Sequence, residues 1–394
     1  MTLPPLSRAL RTALLATLGL RLFNSLVAAL IAWLVPVWIT PGAPHDPHLL
    51  ASLEQGPVLL RLFLAPWYRW DTIHYLDIAQ QGYADPNNTI WPPLYPLLIR
   101  VGTLTGLPPL VSALLVSTLS TFGAVLLLYR LAEEEWGEEH ATAAVLALIF
   151  FPTAFFLMAG YSEATFLLCA LLSIRAARQR RWLLAGLGAA AAVLTRHQGI
   201  FLTLPLLWEG LQFLRSLQSL PLRQRLRAAW PWLVGLSLPP LTMLSYGIYI
   251  RLFTQADWPW KTVSSGWNQH LGWPWEGILG NLRALLSGAP VGGGALFFNL
   301  SLALLCLVLL LLGARRLPLS HSLLGWALLL SVLVKVQNEG LLGATARYAL
   351  IIFPIFFVLA FALKNRWARI LYSIVALGAQ ILLLAAFYWW AWVP

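Results

Sequence analysis

The segment from Trp67 to Tyr83, WYRWDTIHYLDIAQQGY, carries two carboxylates and one imidazole among aromatic side chains. If it is helical, Asp71 and His74 are three residues apart and share a face, while Asp77 lies roughly 120° away around the axis. A carboxylate with an imidazole one turn away can deprotonate a hydroxyl group or bind a polar head group. The alternative is an interfacial helix that turns its polar face to water.

A second polar group, Tyr161 and Glu163 in MAGYSEATF, stands in a short turn between two apolar runs. Ser162 can cap the helix that follows, and Glu163 then lies in the first turn, where the helix dipole favours a carboxylate. A capping role and a substrate-binding role both stay open. The segment Ile90–Arg100, IWPPLYPLLIR, contains three prolines, which predict a rigid elbow or a simple turn before the next membrane element.

Two further groups carry arginines at predicted helix ends: Arg196 and His197 in LTRHQG, and Arg347 in GATARYALIIFP. A guanidinium group has the planar donors that suit phosphate recognition. The alternative is an arginine that snorkels to the membrane interface and binds no substrate. Together, the acid, base and cations predicted at one membrane face suit a lipid-phosphate substrate, with aromatic rings to stack on a sugar.

The composition explains why charged groups in this chain attract attention. Hydrophobic residues make up 59% of the 394 residues and charged residues only 10%, with a mean hydropathy of +0.73. An average soluble domain has about 25% charged residues, so the apolar runs of roughly 20 residues indicate transmembrane helices. The only two cysteines, Cys169 and Cys306, lie inside apolar runs and are predicted to be buried hydrophobic residues, since no Cys/His cluster has zinc spacing.

Apolar runs predict an all-α polytopic membrane protein with about 11 transmembrane helices. The net charge of +11 is concentrated in short clusters between these runs, which fits the positive-inside rule with the N-terminus inside and the C-terminus outside. The predicted helices span residues 10–36, 108–130, 141–158, 164–177, 182–196, 198–214, 230–252, 294–314, 321–337, 347–363 and 368–392.

Two long segments are predicted to lie outside the membrane, within one membrane domain over residues 1–394. The first external loop covers residues 37–107 and includes the acidic segment, and the second covers residues 253–293 and is rich in tryptophan. Loops of this length in a compact protein are usually functional or disordered, and so many aromatic residues argue against disorder. We therefore expect Trp258–Trp275 to form an ordered lid over the site, with a flexible edge at VGGG, Val291–Gly294.

Four motifs in order give this chain a family resemblance over roughly residues 65–205: WDTIHYLDIAQQGY, WPPLYPLL, FPTAFFLMAGYSEATFLLCALLSI and GLGAAAAVLTRHQGI. Together they resemble the successive motifs of the PIG-V mannosyltransferases, which add the second mannose of the glycosylphosphatidylinositol anchor. Two positions depart from the pattern of that family. IWPP stands where the family has FFP, and His197–Gln198 replaces the usual Ser–Asn after the arginine, so the acceptor stays open.

The resemblance implies a GT-C glycosyltransferase fold with a large first external loop and a polyprenyl-phosphate sugar as donor. Asp71 then occupies the position of the catalytic base, and Arg196 or Arg347 is expected to bind the donor phosphate. Trp70 would shield the site and stack on the sugar, and His74 would orient either the acceptor or Asp71. The full set of predicted substrate-binding residues is Trp70, His74, Asp77, Tyr161, Glu163, Arg196, His197 and Arg347.

The expected activity is the inverting transfer of mannose, or a similar hexose, to a glycan, glycolipid or protein acceptor. No nucleic acid partner and no cofactor are expected, and we predict that no metal is essential. The Leu-, Ala- and Arg-rich, loop-poor chain looks bacterial, which predicts a multi-pass protein of the bacterial cytoplasmic membrane with an outward-facing active site. The alternatives are a transporter or flippase of a lipid-linked sugar, and a non-catalytic subunit that kept the fold.

Overall fold

The computed structural model describes residues 7–35, 53, 56–254, 256–258, 261–262, 269–287, 293–337 and 339–391. Most of these residues are helical, as predicted. Five of the helices are long and apolar enough to cross a membrane, judged by their length and composition. The protein is therefore an integral, multi-pass membrane protein, while the expected count of about 11 spanning helices stays a prediction.

The elements follow one another along the chain with one small antiparallel sheet late in the sequence. The α-helices and strands are α1 (Arg8–Leu34), α2 (Val58–Leu64), α3 (Asp71–Gln81), α4 (Leu94–Leu104), α5 (Pro109–Trp136), α6 (Glu138–Ile149), α7 (Glu163–Arg178), α8 (Trp182–Thr195), α9 (Thr203–Ser216), α10 (Leu222–Phe253), β1 (Gln269–Leu271), α11 (Glu276–Leu286), α12 (Gly293–Gly313), α13 (Leu319–Leu333), β2 (Lys335–Gln337), α14 (Thr345–Ala349), α15 (Pro354–Ala362) and α16 (Arg366–Tyr388). Short 3₁₀ helices cover Ala65–Trp67, Pro86–Ile90, Ala154–Leu157 and His197–Leu202.

The chain packs as two compact units, each assembled from separate stretches. The first unit comprises Met1–Gly82, Tyr95–Thr165 and Leu359–Val393, and the second comprises chiefly Tyr83–Leu94 and Phe166–Val358. The first external loop is structured where it is described, since it contains α2, α3 and α4. Most of its initial part, residues 37–55, lies outside the described residues.

In the first unit, a buried polar contact joins α1 to α5. The Arg21 side chain of α1 donates to the Thr118 hydroxyl at 3.1 Å, to the Leu114 carbonyl at 2.9 Å and to the Met158 carbonyl at 2.7 Å. A guanidinium group inside a membrane protein needs such acceptors, because burying an unsatisfied charge is costly. This contact fixes the turn that ends at Met158, just before GYSE.

In the second unit, α8 and α10 cross at two glycines. A Cβ atom on Gly186 would stand 2.4 Å from the carbonyl oxygen of Gly235, so the two backbones approach too closely for any side chain. Small residues at such crossings are how membrane helices gain packing contacts. The crossing lies near the N-terminal end of α8, the helix that ends just before Arg196.

Two predicted helices depart from their expected course at prolines, and a third ends where a strand begins. The helix expected at 141–158 stops at Ile149 because Pro152 cannot continue it. The helix expected at 347–363 is broken into α14 and α15, since Pro354 disfavours helical geometry at the residue before it. The helix expected at 321–337 ends at Leu333, and β2 begins at Lys335 and pairs with β1.

Candidate active site

Asp71 is the first residue of α3, so the acidic segment is helical from this residue onward. Asp71 is only 7% exposed, and its backbone N–H donates to the hydroxyl oxygen of Tyr161 at 3.2 Å. A first-turn N–H has no partner within its own helix, so the phenol supplies one. The structure thus brings together two predicted site residues that are far apart in the sequence.

The GYSE turn packs against the same helix through aromatic side chains. The hydroxyl of Tyr75 donates to Ser162 Oγ at 2.7 Å, and the Tyr75 ring lies edge-on to Tyr161 with the centroids 6.5 Å apart. Glu163 is fully buried and is the first residue of α7, where the helix dipole favours its carboxylate, as predicted. A protonatable group therefore lies directly beside the residues that hold Asp71.

Gly160 explains how the turn approaches α3 so closely. A Cβ atom at this position would stand 2.7 Å from Cγ2 of Thr72, a distance that real Cβ atoms essentially never show. Any larger residue would displace Thr72, which is the neighbour of Asp71. The glycine of AGYSE is thus a packing requirement of the candidate site.

The other polar residues of α3 are less enclosed. His74 and Asp77 are both partly exposed, while the residues between them are buried. Their roles in orienting an acceptor or binding substrate stay predictions.

In the second unit, three cationic side chains surround the ring of Tyr348. The Arg196 guanidinium carbon lies 4.8 Å from the ring centroid, the Arg347 guanidinium carbon 5.5 Å, and the Lys335 ammonium nitrogen 5.8 Å. Cations at this distance are attracted to the face of an aromatic ring. The arrangement concentrates positive charge in one place, which is a suitable environment for a phosphate group.

Two buried asparagines position the segment that leads to Arg347. Asn299 donates its amide to the Leu342 carbonyl at 3.3 Å and accepts the Ala346 N–H at 2.9 Å. Asn281 accepts the Leu342 N–H at 2.8 Å. These bonds hold the backbone around Ala344, which adopts a left-handed conformation with φ of 53°. The loop before α14 is therefore held at both ends by side chains of α11 and α12.

His197 lies beside the cation cluster and is largely enclosed. Burial, together with the nearby cations Lys335 and Arg196, lowers the pKa of its imidazole to about 4, although a hydrogen bond with the Ile90 backbone acts in the opposite direction. The ring also lies 5.9 Å from that of Tyr246. His197 is consequently neutral at pH 7 and can accept or donate a hydrogen bond without adding charge.

The tryptophan-rich segment contains strand β1, which pairs with strand β2 and so lies next to Lys335 of the cation cluster. In this sheet Leu271 pairs with Lys335, and Trp273 and Trp275, which follow β1, stack with their ring centroids 5.1 Å apart. The described part of the segment is ordered, while its role as a lid stays a prediction. Residues 255, 259–260, 263–268 and 288–292 of the predicted loop 253–293 lie outside the described residues, so parts of the proposed lid and of its VGGG edge are not described.

Sequence patterns missed two members of the cation cluster and one buried arginine. The sequence offered one signal for each residue: Tyr348 directly follows Arg347, and Lys335 ends a long apolar run. Arg69 is not among the predicted site residues, yet it is only 1% exposed. Both cysteines are buried and unpaired, as predicted. Within the described residues, no three His, Cys, Asp or Glu side chains cluster in a way that could hold a metal ion.

The fold and these residues define a multi-pass helical membrane protein with a buried acidic helix start in one unit and a cluster of cations in the other. Residues 91–246 match the model of the dolichyl-phosphate-mannose-protein mannosyltransferase family. That range includes Tyr161, Glu163, Arg196 and His197 of the candidate residues.

Among curated proteins, the chain is similar to GPI alpha-1,6-mannosyltransferase 2 of Rattus norvegicus, with 31% identity over 166 residues, covering 39% of this chain and 34% of that protein. The Homo sapiens protein of the same name is 36% identical over 110 residues, covering 25% of this chain and 22% of its own length. The family resemblance inferred from the motifs is thereby confirmed over this part of the chain. The matches span about a third or less of the length of these relatives.

Two solved structures show a partial likeness in shape. ArnT from Cupriavidus metallidurans, bound to undecaprenyl phosphate, aligns with a TM-score of 0.46 and 16% identity, covering 74% of this chain and 55% of ArnT. The oligosaccharyltransferase AglB of Archaeoglobus fulgidus, solved with an inhibitory peptide and a dolichol-phosphate, aligns with a TM-score of 0.43 and 15% identity, covering 98% of this chain and 56% of AglB.

Proposed function

We propose that this protein is a GT-C glycosyltransferase that transfers mannose, or a similar hexose, from a polyprenyl-phosphate sugar to a hydroxyl group. The observation that carries the proposal is the convergence of Arg196, Arg347 and Lys335 on the ring of Tyr348. Three adjacent cations create a positive potential that attracts an anion such as a phosphate group. The similarity of residues 91–246 to mannosyltransferases makes a sugar-linked lipid phosphate the fitting anion.

Asp71 is the proposed catalytic base. An acceptor hydroxyl attacks the anomeric carbon of the donor while its proton passes to the Asp71 carboxylate. The bond between the anomeric carbon and the phosphate oxygen breaks, and polyprenyl phosphate leaves with the bonding electrons. Because attack and departure occur on opposite faces of the sugar, the configuration inverts, and a β-linked donor gives an α-linked product.

The cations supply the electrostatic part of the reaction. Negative charge develops on the phosphate as it leaves, and fixed guanidinium groups stabilise such charge without reorganising. We assign Arg196 as the first phosphate ligand and Arg347 as the second, with Lys335 adding long-range attraction. Because these groups can neutralise a phosphate monoester, no metal is needed. Activity that disappears in chelator and returns with magnesium or manganese would overturn this assignment.

The remaining substrate contacts are assigned to aromatic and polar side chains. Trp70 stacks on the sugar, His74 orients the acceptor, and Tyr161 and Glu163 complete the surroundings of the base. The acceptor is a glycan, glycolipid or protein that reaches the external face of a bacterial cytoplasmic membrane. His197 stands where relatives of the PIG-V family have serine, so this side chain is expected to influence acceptor choice.

A transfer assay with the purified full chain tests the proposal. The protein is incubated in detergent with radiolabelled polyprenyl-phosphate mannose and a glycolipid fraction extracted from bacterial membranes. We expect label to move from the donor to the glycolipid fraction. In proteoliposomes, a transporter or flippase would instead move the donor across the bilayer and leave it intact, and a non-catalytic subunit would do neither.

A further inference from the structure

The two residues that precede Asp71 are both held by the last turn of α16. Arg69 donates from Nε to the Tyr388 carbonyl at 3.1 Å, and Trp70 donates from its indole nitrogen to the Phe387 carbonyl at 3.2 Å. The last carbonyls of a helix lack partners within that helix, so they are free to accept bonds from other segments. Residues more than 300 positions apart are thus joined at the start of α3.

Aromatic rings enclose the same arginine. The Arg69 guanidinium carbon lies 5.0 Å from the ring centroid of Tyr388 and 5.2 Å from that of Trp390. The rings of Trp390 and Trp70 lie 5.1 Å apart. Arg69 also donates from Nη1 to the carbonyls of Ala65 and Tyr68, each at 2.9 Å. The buried cation therefore has several acceptors and two rings that offset its loss of water.

The backbone between Arg69 and Asp71 is strained. Trp70 has φ of 52° and ψ of −128°, in a region that residues with a Cβ atom rarely occupy. Such a conformation persists only where surrounding contacts determine it, and here the contacts come from α16. Because α3 begins at the next residue, this conformation sets the direction in which the Asp71 side chain points from the backbone.

The same end of α16 also supports the partner of Asp71 from the other side. Phe387 packs edge-on against Tyr161 with the ring centroids 5.9 Å apart, and against Phe156 at 5.8 Å. Tyr161 accepts the Asp71 N–H. One short segment at the end of α16 thus contacts Arg69, Trp70 and Tyr161, the three residues that fix the backbone of Asp71.

We propose that Phe387, Tyr388 and Trp390, which we name the C-terminal clamp, form a positioning element that holds Asp71 in its reactive orientation. The inference rests on the proposed function in one respect, the role of Asp71 as base. The clamp residues touch Arg69, Trp70 and Tyr161 rather than substrate, so their loss should lower turnover and leave donor binding intact. A misplacement of about 1 Å at a reacting group costs about 10²-fold in rate.

Trp390 offers the most direct variant. The indole nitrogen of Trp390 makes no hydrogen bond within the described residues. Trp390 contacts Arg69 and Trp70 through its aromatic ring. Trp390→Phe keeps a ring and should retain most activity, whereas Trp390→Ala removes it. The matched control is Trp389→Ala, which removes the neighbouring, 44% exposed indole. Arg69→Lys is a second variant, because an ammonium group cannot reach all three carbonyls in the planar geometry of a guanidinium group.

The experiment measures two quantities on the full chain in detergent: hydrogen exchange of peptides covering residues 65–81, and kcat and donor KM for transfer. We expect Trp390→Ala and Arg69→Lys to raise exchange near Asp71 and to lower kcat about 10–100-fold at a nearly unchanged KM. Trp390→Phe should restore both quantities, and Trp389→Ala should change neither.

Each adverse outcome has a separate meaning. Unchanged exchange in both Trp390→Ala and Arg69→Lys would overturn the clamp whether or not the protein is a transferase. Raised exchange with unchanged kcat would overturn its positioning role. A folded wild-type protein that transfers no sugar would contradict the proposed function, and the exchange data would still decide whether the clamp holds α3.

Discussion

The hydroxyl oxygen of Tyr161 accepts the backbone N–H of Asp71 at 3.2 Å, across 90 residues of sequence. This contact joins the two motifs that carry the candidate base and the GYSE turn. It also makes the position of Asp71 depend on a phenol whose ring is packed against Phe387. The geometry of the candidate base is therefore set by tertiary contacts as well as by its own helix.

Removing that phenol oxygen should impair both stability and transfer. Tyr161→Phe keeps the ring packing but leaves the Asp71 N–H without its acceptor, which costs about 1–3 kcal/mol when the group is buried. We expect a lower thermal midpoint in detergent and a reduced kcat. Tyr372→Phe is the matched control, since its hydroxyl donates to the Ala147 carbonyl at 2.6 Å, away from the acidic motif. A Tyr161→Phe protein with the same kcat as Tyr372→Phe would argue against a role for this contact in catalysis.

The two aspartates of α3 should behave differently. Asp71→Asn preserves size and hydrogen bonding but cannot take a proton, and loss of a general base costs about 10²–10⁴-fold in rate. Asp77→Asn should cost much less, because this partly exposed residue lies on another side of the helix. The measurement is kcat for transfer, with donor binding as the folding control. Near-normal transfer by Asp71→Asn with loss in Asp77→Asn would reassign the base, and activity in both would make Glu163 the next candidate.

The cation cluster should govern the donor KM. Arg196→Lys keeps the charge and loses the planar fork, so we expect a raised donor KM and a lower turnover. Lys335→Gln removes one charge and should give a smaller increase that fades at high salt. Arg251→Lys, at the exposed end of α10, serves as the control. If well-folded Arg196→Ala and Arg347→Ala proteins kept the wild-type donor KM, the phosphate would have to bind elsewhere.

His197 should make the protein less stable in mild acid. Its pKa is about 4 in the folded protein, against an ordinary value of 6.5. Between these values the unfolded chain binds more protons than the folded one, so this contribution is complete above about pH 6.5 and is lost as pH falls toward 4. The free energy of unfolding falls by about 3 kcal/mol at most from this titration.

Thermal midpoints at pH 7 and pH 5 test this dependence. The wild-type midpoint should fall more steeply than that of His197→Gln, which has no imidazole to charge. His270→Gln, which alters an exposed histidine, should follow the wild type. Parallel curves for wild type and His197→Gln would show that His197 does not titrate in this window.

The length of the apolar runs was enough to predict the long helices. It could not place the ends of helices 141–158 and 347–363, where proline competes with a continuous apolar run. The predicted helix 321–337 wrongly included the residues of strand β2, for a different reason. Its residues Lys335–Gln337 pair with β1, more than 60 residues earlier, and such a partner leaves no local signal.

The residues of the candidate site also fall into those that the sequence predicted and those that it did not. Asp71, Tyr161, Arg196 and Arg347 stand in recognisable motifs, so the sequence alone singled them out. Arg69 did not stand out, because its partners Tyr388 and Trp390 lie at the end of α16 and belong to no motif. A contact between distant segments can be recognised only after the chain is folded.

The central claim is that this protein breaks the bond between a sugar and a polyprenyl phosphate with Asp71 as base. The most direct test is mass-spectrometric measurement of free polyprenyl phosphate released from polyprenyl-phosphate mannose, with a bacterial glycolipid fraction as acceptor. The account predicts one polyprenyl phosphate per mannose transferred by the wild type, and a rate about 10²–10⁴-fold lower for Asp71→Asn at an unchanged donor KM. Release at equal rates by both proteins, or an intact donor after incubation with folded wild type, would contradict it.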